Sequence, residues 1–447
     1  MTYGVDEMTA AQLEARHTPV GAWASDGSTT RPAPRRPRPS GRPRLGILAV
    51  WGSGLVVMLA DTDAGSLVTA AQSGAQWGYR MILPQVVLIP VLYVVQEITL
   101  RLGIVTGQPH GALIRARFGR WWATLSVGLL FISVIGALLT EFAAVAGVGE
   151  CFGIPPWATV PLSTAFLLAI TLTGSHRHVE RIAVAVGMAE LALLVVMLMS
   201  HPRIGPLVQG LGSMPLGNCS YLTLVAANVG TAIMPWLVHY QQSAVIDKKL
   251  STAAIREARQ ETAVGAVLTQ SITVAMVITV AATVGMHRPG SPLDSVGQIA
   301  DALTPYLGHT VGTVLLGLGM TGAALVAAIV SSTAGAWGLA EAFGRKPTLA
   351  ERTNRRPATF YLAYALAPIV AAVLVLTGPD LIGLSVGVGV LNTMLLPIVL
   401  GLLLALEAKA LPKQWRMRGP RKHLTRALCL LVSSFGVYTT LAALGRI

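Results

Sequence analysis

The sequence predicts an all-α membrane protein of eleven transmembrane helices, ten of them an inverted repeat of five plus five, with helices 1 and 6 broken and helix 11 outside the repeat. Three observations predict it. Charged residues make up 12% of the 447 residues and hydrophobic residues 53%, with a mean hydropathy of +0.63. Apolar stretches recur in blocks of about 20, the length that crosses a hydrocarbon core. Two of these blocks, five apart, carry helix-breaking chemistry in their middles.

The composition excludes an ordinary soluble domain. Such domains carry about 25% charged residues, and a single soluble core stops growing near roughly 250–300 residues. Here the apolar blocks fall at 46–76, 81–100, 121–149, 156–174, 182–200, 221–246, 260–286, 310–343, 358–377, 381–406 and 427–444. They divide a transmembrane transporter domain (44–447) into a first repeat (46–200), a second repeat (221–406) and an extra helix (427–444).

The net charge of +13 suggests nucleic acid only until its distribution is read. With the N-terminus in the cytoplasm, 29 of the 33 Lys and Arg residues fall on the cytoplasmic side, and only Arg80, Arg203, Arg288 and Arg446 fall outside. That asymmetry is the positive-inside signature. It orients the chain with its C-terminus outside and leaves no charge for a nucleic acid to explain. Residues 1–43 hold a Pro- and Arg-rich run and no apolar stretch. They read as a disordered basic cytoplasmic arm suited to anionic lipid, not as a secretory signal. The Ala, Gly and Arg richness fits a bacterial inner membrane. Cys151 and Cys219 fall in outer loops where a disulfide is one option, and no CxxC pattern points to a thiolate metal site.

Span 1 contains Leu59-Ala-Asp-Thr-Asp-Ala-Gly-Ser66, and span 6 contains Gly230-Thr-Ala-Ile-Met-Pro-Trp236. Proline removes a helix hydrogen bond, and Asp, Thr and Ser compete with helical bonding, so both spans should break. Because five is odd, two five-span units run in opposite senses. Paired interrupted helices in the two halves point to a transporter binding site.

Charge at membrane depth costs at least ~2.5–3.5 kcal/mol and marks ion or substrate pathways. Asp61 and Asp63, the carbonyls of Ala60 and Thr231 freed by the breaks, and the Ser66 hydroxyl are hard oxygen ligands, while Met234 adds a thioether that favours transition metals. Two aspartates in one break would repel a substrate carboxylate, so the site favours a cation. Each residue has a plainer reading beside this one: Asp63 as a cap for the second half of span 1 with Ser66 completing the turn, Asp61 as a solvated wall residue, Met234 as packing.

The runs Gly52-Ser-Gly54, Asp63-Ala-Gly-Ser66, Gly74-Ala-Gln-Trp-Gly-Tyr79 and Arg101-Leu-Gly-Ile-Val-Thr-Gly107 resemble the natural resistance-associated macrophage protein (NRAMP) family of divalent metal transporters. The resemblance covers most of 46–345 and, more weakly, 357–406. It implies a broken-helix inverted repeat of the LeuT-like kind. By this resemblance Asp63 and Met234 match metal-binding residues, Ser66 stands where the family has asparagine, Thr231 offers a backbone carbonyl, and Glu141 matches an aspartate associated with proton passage. The departures are Ala64 for a proline, Trp236 for a histidine, Gln241-Gln242 near a second histidine, and Ala144 for a glutamate.

This combination resembles the divergent magnesium-transporting branch of the family. A shorter Ser66 leaves room for an ion that sheds water reluctantly. The expectation is Mg2+ carriage with Mn2+ also accepted, by alternating access and with weak or no proton coupling. The alternatives are a proton-coupled Mn2+/Fe2+ importer and a carrier of an organic cation or amino acid on the same scaffold. No resident cofactor is expected, since the metal is cargo. No HExxH motif or nucleophile–base pair suggests an enzyme. Among other polar groups, Glu97 and Glu190 read mainly as structural, Glu341 as a partner of Arg345, His239 as packing, and Asn392-Thr393 as an interruption of span 10.

Overall fold

Backbone amides inside a bilayer find no water, so a spanning chain must satisfy them within helices. In the computed structural model every regular element among the described residues is helical. The structure describes residues 53–444 apart from 173–175, 286–289, 291, 294, 343–357 and 379. The basic arm 1–43, Arg345 and Arg446 lie outside the described residues.

Span 1 is two helices, α1 (Ser53–Asp61) and α2 (Ala64–Trp77), and span 2 is α3 (Ile82–Thr106). A short α4 (His110–Phe118) leads into α5 (Arg120–Cys151), the third span, and α6 (Pro156–Leu172) is the fourth. Span 5 is kinked: α7 (His176–Gly187) and α8 (Ala192–Met199) are joined by one 3-10 turn, Met188–Leu191. After α9 (Ile204–Leu211), span 6 is again two helices, α10 (Cys219–Ala232) and α11 (Pro235–Asp247). Spans 7 to 11 are α12 (Ile255–Val280), α14 (His309–Ala342), α15 (Ala358–Val375), α16 (Leu381–Ala410) and α17 (Gly419–Ala443), with α13 (Val296–Leu307) between the first two of these.

Every expected span thus has helix at its position. Eight helical stretches among the described residues are long and apolar enough to cross a membrane, one of them (Ala64–Thr106) running through α2 and α3; Pro156–Ile170 and Tyr364–Val375 are shorter apolar helices.

The breaks are where the residue chemistry put them. Thr62 and Asp63 interrupt span 1, and Asp63 is extended (φ −65°, ψ 165°). Ile233 and Met234 interrupt span 6, Met234 also extended, with Pro235 opening α11 as the first-turn residue whose missing N–H costs nothing. One sequence reading needs correction. Asn392 and Thr393 do not interrupt span 10, because α16 is continuous and the Thr393 hydroxyl bonds across to the Ala226 carbonyl of α10. Cys151, Cys219 and Cys429 are free thiols; Cys219 faces Tyr438 instead.

Long α5 and α14 pack along each other, α12 lies against α2 and α3, and α10 runs along α16. Around the breaks, Val56–Ala60 of α1 and Met234, Trp236 and Leu237 of span 6 share one buried apolar cluster. The fold therefore brings both breaks to one interior region.

Candidate metal-ion site

A helix leaves its last carbonyls without intrahelical donors, and the span-1 break shows how these are used. The Met58 carbonyl accepts from the Thr269 hydroxyl, Leu59 from Thr62 N at 3.1 Å, and Asp61 from Ser66 Oγ at 3.3 Å. Ala64 N, the donor that would have closed the turn on Ala60, is drawn to Glu141 Oε2 at 3.1 Å instead. The Ala60 carbonyl thereby lacks its usual i+4 donor. The Thr231 carbonyl lies in the same position at the end of α10, whose Ile233 N closes back only to Val229.

Asp63 does cap α2. Its Oδ1 accepts from Ser66 N at 2.6 Å, and Ser66 Oγ donates back to the Asp63 carbonyl at 2.8 Å. The capping reading is thus realised. It does not exhaust the residue, because the Asp63 carboxyl also pairs with that of Glu141 through a side-chain hydrogen bond. Thr140 adds its hydroxyl to Glu141 Oε1 at 3.4 Å.

Asp61 behaves differently from Asp63. It is 1% exposed, and neither carboxylate oxygen has a hydrogen-bond partner. A solvated wall residue is excluded in this conformation. Met234 is equally buried, and its sulfur accepts from Trp236 Nε1 at 3.2 Å. Sequence reasoning missed that bond, although the Met-x-Trp spacing across the start of α11 allows it. The groups acting on Asp61, Asp63, Glu141 and Glu190 are carboxyls, hydroxyls and backbone N–H groups, with no Lys, Arg or His among them in the described residues.

Among the described residues, no three His, Cys, Asp or Glu side chains converge to hold a metal by themselves. An ion here takes carbonyl, hydroxyl and water oxygen beside one or two carboxylates, a donor set typical of magnesium and calcium.

Glu97, Glu341 and His239 have partners of their own. Glu97 is 1% exposed and paired with Arg101 (3.1 Å), Arg259 (2.7 Å) and Arg421 (2.7 Å). Glu341 accepts from Gly111 N at 3.1 Å and Ser243 Oγ at 3.2 Å, partners from α4 and α11 that nothing local announced; the expected Arg345 is outside the described residues. His239 lies edge-on to His110 at 4.8 Å and bonds Ser126 at 3.2 Å, which fits its packing role.

Comparison with known proteins agrees with this anatomy. The chain is 25% identical to the divalent metal cation transporter MntH of Klebsiella pneumoniae (strain 342) over 303 residues, 64% of this chain and 71% of that protein. It is 26% identical to MntH of Chromohalobacter salexigens over 323 residues, 66% and 71% of the two chains. The fold is similar to that of the Eremococcus coleocola manganese transporter solved with an aromatic bis-isothiourea compound (TM-score 0.69, 18% identity, covering 88% and 86%). It is also similar to Mhp1, a nucleobase-cation-symport-1 family transporter (TM-score 0.59, 15% identity, covering 88% and 90%). Residues 54–442 match the family described as natural resistance-associated macrophage protein-like; the chain belongs to that family, and is a transporter rather than an enzyme.

Proposed function

We propose that the protein carries divalent metal cations across a membrane by alternating access, with Mg2+ its preferred cargo and Mn2+ also accepted. The observation that carries this reading is the pair of helix breaks brought to one interior region, where Asp61 and Asp63 lie buried with no cationic side chain among the described residues acting on them. A buried charge without a partner is expensive. A divalent cation bound at Asp63, Asp61, Ser66 and the Ala60 and Thr231 carbonyls supplies the missing charge. The names of the MntH relatives support the same substrate class.

Two features support magnesium over the softer metals. The Met234 thioether, the one soft donor, is already engaged by the Trp236 indole N–H. Ser66, whose hydroxyl is spent on backbone carbonyls, leaves space for a retained water, as magnesium requires.

Proton coupling is weak or absent in this reading. Trp236, Gln241 and Ala144 stand where the family resemblance places titratable groups, and Glu141 alone remains beside Asp63. The basic-residue asymmetry supports an N-terminus in the cytoplasm and a C-terminus outside, and the Ala, Gly and Arg richness supports a bacterial inner-membrane location.

The test is a flux panel of Mg2+, Mn2+, Ca2+ and Fe2+ into proteoliposomes with an internal pH dye. The expected result is saturable Mg2+ and Mn2+ entry without accompanying acidification. Metal-driven proton entry would favour the coupled Mn2+/Fe2+ importer, and no metal flux at all would favour an organic substrate.

A further inference from the structure

Span 5 tightens through one 3-10 turn within a continuous helical run. The turn Met188–Leu191 separates α7 from α8 and lies beside the end of α1, where a Cβ on Gly187 would stand only 3.2 Å from Leu59 Cβ and 3.4 Å from Glu190 Oε1. Glycine lets the kinked span approach the C-terminus of α1 this closely. The approach puts the Glu190 carboxylate against the span-1 break.

Glu190 is fully buried (0% exposed), and neither of its carboxylate oxygens has a hydrogen-bond partner. The one side chain other than a carboxylate that acts on it is the neutral Thr62 hydroxyl, which also lies 3.3 Å from Thr269 Oγ1, so no cation offsets the Glu190 charge among the described residues. The charged groups acting on Glu190 are Asp63 and Asp61, both acidic. Asp61 has the same deficit, with two unpartnered oxygens. The C-terminal end of α1 adds the negative pole of a helix dipole.

We infer that a second divalent cation is held between spans 1 and 5 by Glu190, Asp61 and the Thr62 hydroxyl oxygen, next to the position at Asp63. All its donors are hard oxygens, with water completing the shell, so this position selects Mg2+ or Mn2+ by charge and has no thioether to favour soft metals. Two carboxylates at a helix C-terminus match a double positive charge. Asp61 lies between the two positions and is common to both. This inference rests on the metal-carriage reading and extends it to the number of ions bound.

The experiment counts Mn2+ bound per chain by equilibrium dialysis of the full-length protein in detergent micelles. Wild type is expected to bind two. E190Q is expected to bind one, at an affinity within about threefold of the tighter wild-type site, which also shows that the variant is folded. E190D, keeping the charge on a shorter arm, is expected to recover the second ion with about tenfold weaker affinity, the scale of a perturbed metal shell. A single ion in both wild type and E190Q, or two ions retained in E190Q, overturns the second position and leaves the first intact. No ion bound by wild type overturns the metal-carriage reading itself.

Discussion

Two groups of buried acids in this protein live under opposite rules. In one cluster, Glu97 is surrounded by Arg101, Arg259 and Arg421, and Glu407 lies 3.6 Å from Arg101 while also accepting from the Met417 amide. Every charge there has an opposite. At the two helix breaks, Asp61, Asp63, Glu141 and Glu190 are as deeply buried, yet no Lys, Arg or His acts on them among the described residues. The residue types are the same and the counter-charge differs. Where the protein supplies its own cation the acid is a fastener. Where it does not, the acid awaits one from outside.

The comparison can be broken first where α10 meets α16. A Cβ on Gly230 would overlap the Gly389 carbonyl and the Thr393 hydroxyl of α16. Glycine is what lets α10 and α16 touch backbone to backbone. The G230A variant should lose about 3 kcal/mol or more, the upper end for overpacking, and most of its metal flux, read by thermal unfolding in detergent and by proteoliposome uptake. Wild-type stability and uptake would show that α10 and α16 separate without cost.

The fastener side is sharpened by E97Q. It leaves Arg101, 2% exposed, with only Glu407 as a charged partner. The Arg259 and Arg421 side chains are 31% and 44% exposed and rehydrate, so the loss falls below the ~3–5 kcal/mol of a fully buried pair and is about 2 kcal/mol. Mn2+ binding to the folded protein should be unchanged. A binding defect with normal stability would move Glu97 into the cation path.

The smallest effect concerns selectivity. W236F removes the indole donor from Met234 Sδ and frees the thioether. Mn2+ should gain over Mg2+ by about threefold, the scale of one weak sulfur contact, measured as the ratio of uptake rates. A gain for Mg2+ would show that the sulfur is not a ligand.

How much of this was legible in the sequence follows from how local each feature is. The breaks at Thr62-Asp63 and Ile233-Met234 were readable because Asp, Thr and Pro act on their own turn of helix. The cap from Asp63 to Ser66 was readable for the same reason. The sequence alone reads Glu190 as structural, since the groups that act on it, Thr62, Asp63 and Asp61, lie more than a hundred residues earlier in the chain. The partners of Glu341, from α4 and α11, were hidden by distance in the same way. Asn392 and Thr393 were misread as an interruption because polar residues in an apolar helix have two remedies, and here Thr393 is satisfied by α10 without unwinding α16. A sequence shows which backbone will break; it does not show which distant side chain arrives to fill the break.

The claim that the unpaired acids hold the cargo is tested most directly by D63N, which keeps the size of the Asp63 side chain and an oxygen for Ser66 N while removing the charge. Mg2+ and Mn2+ uptake into proteoliposomes should fall by about 100-fold, a loss of near 2.7 kcal/mol, with thermal stability close to wild type. Uptake at the wild-type rate by a well-folded D63N protein would contradict the account.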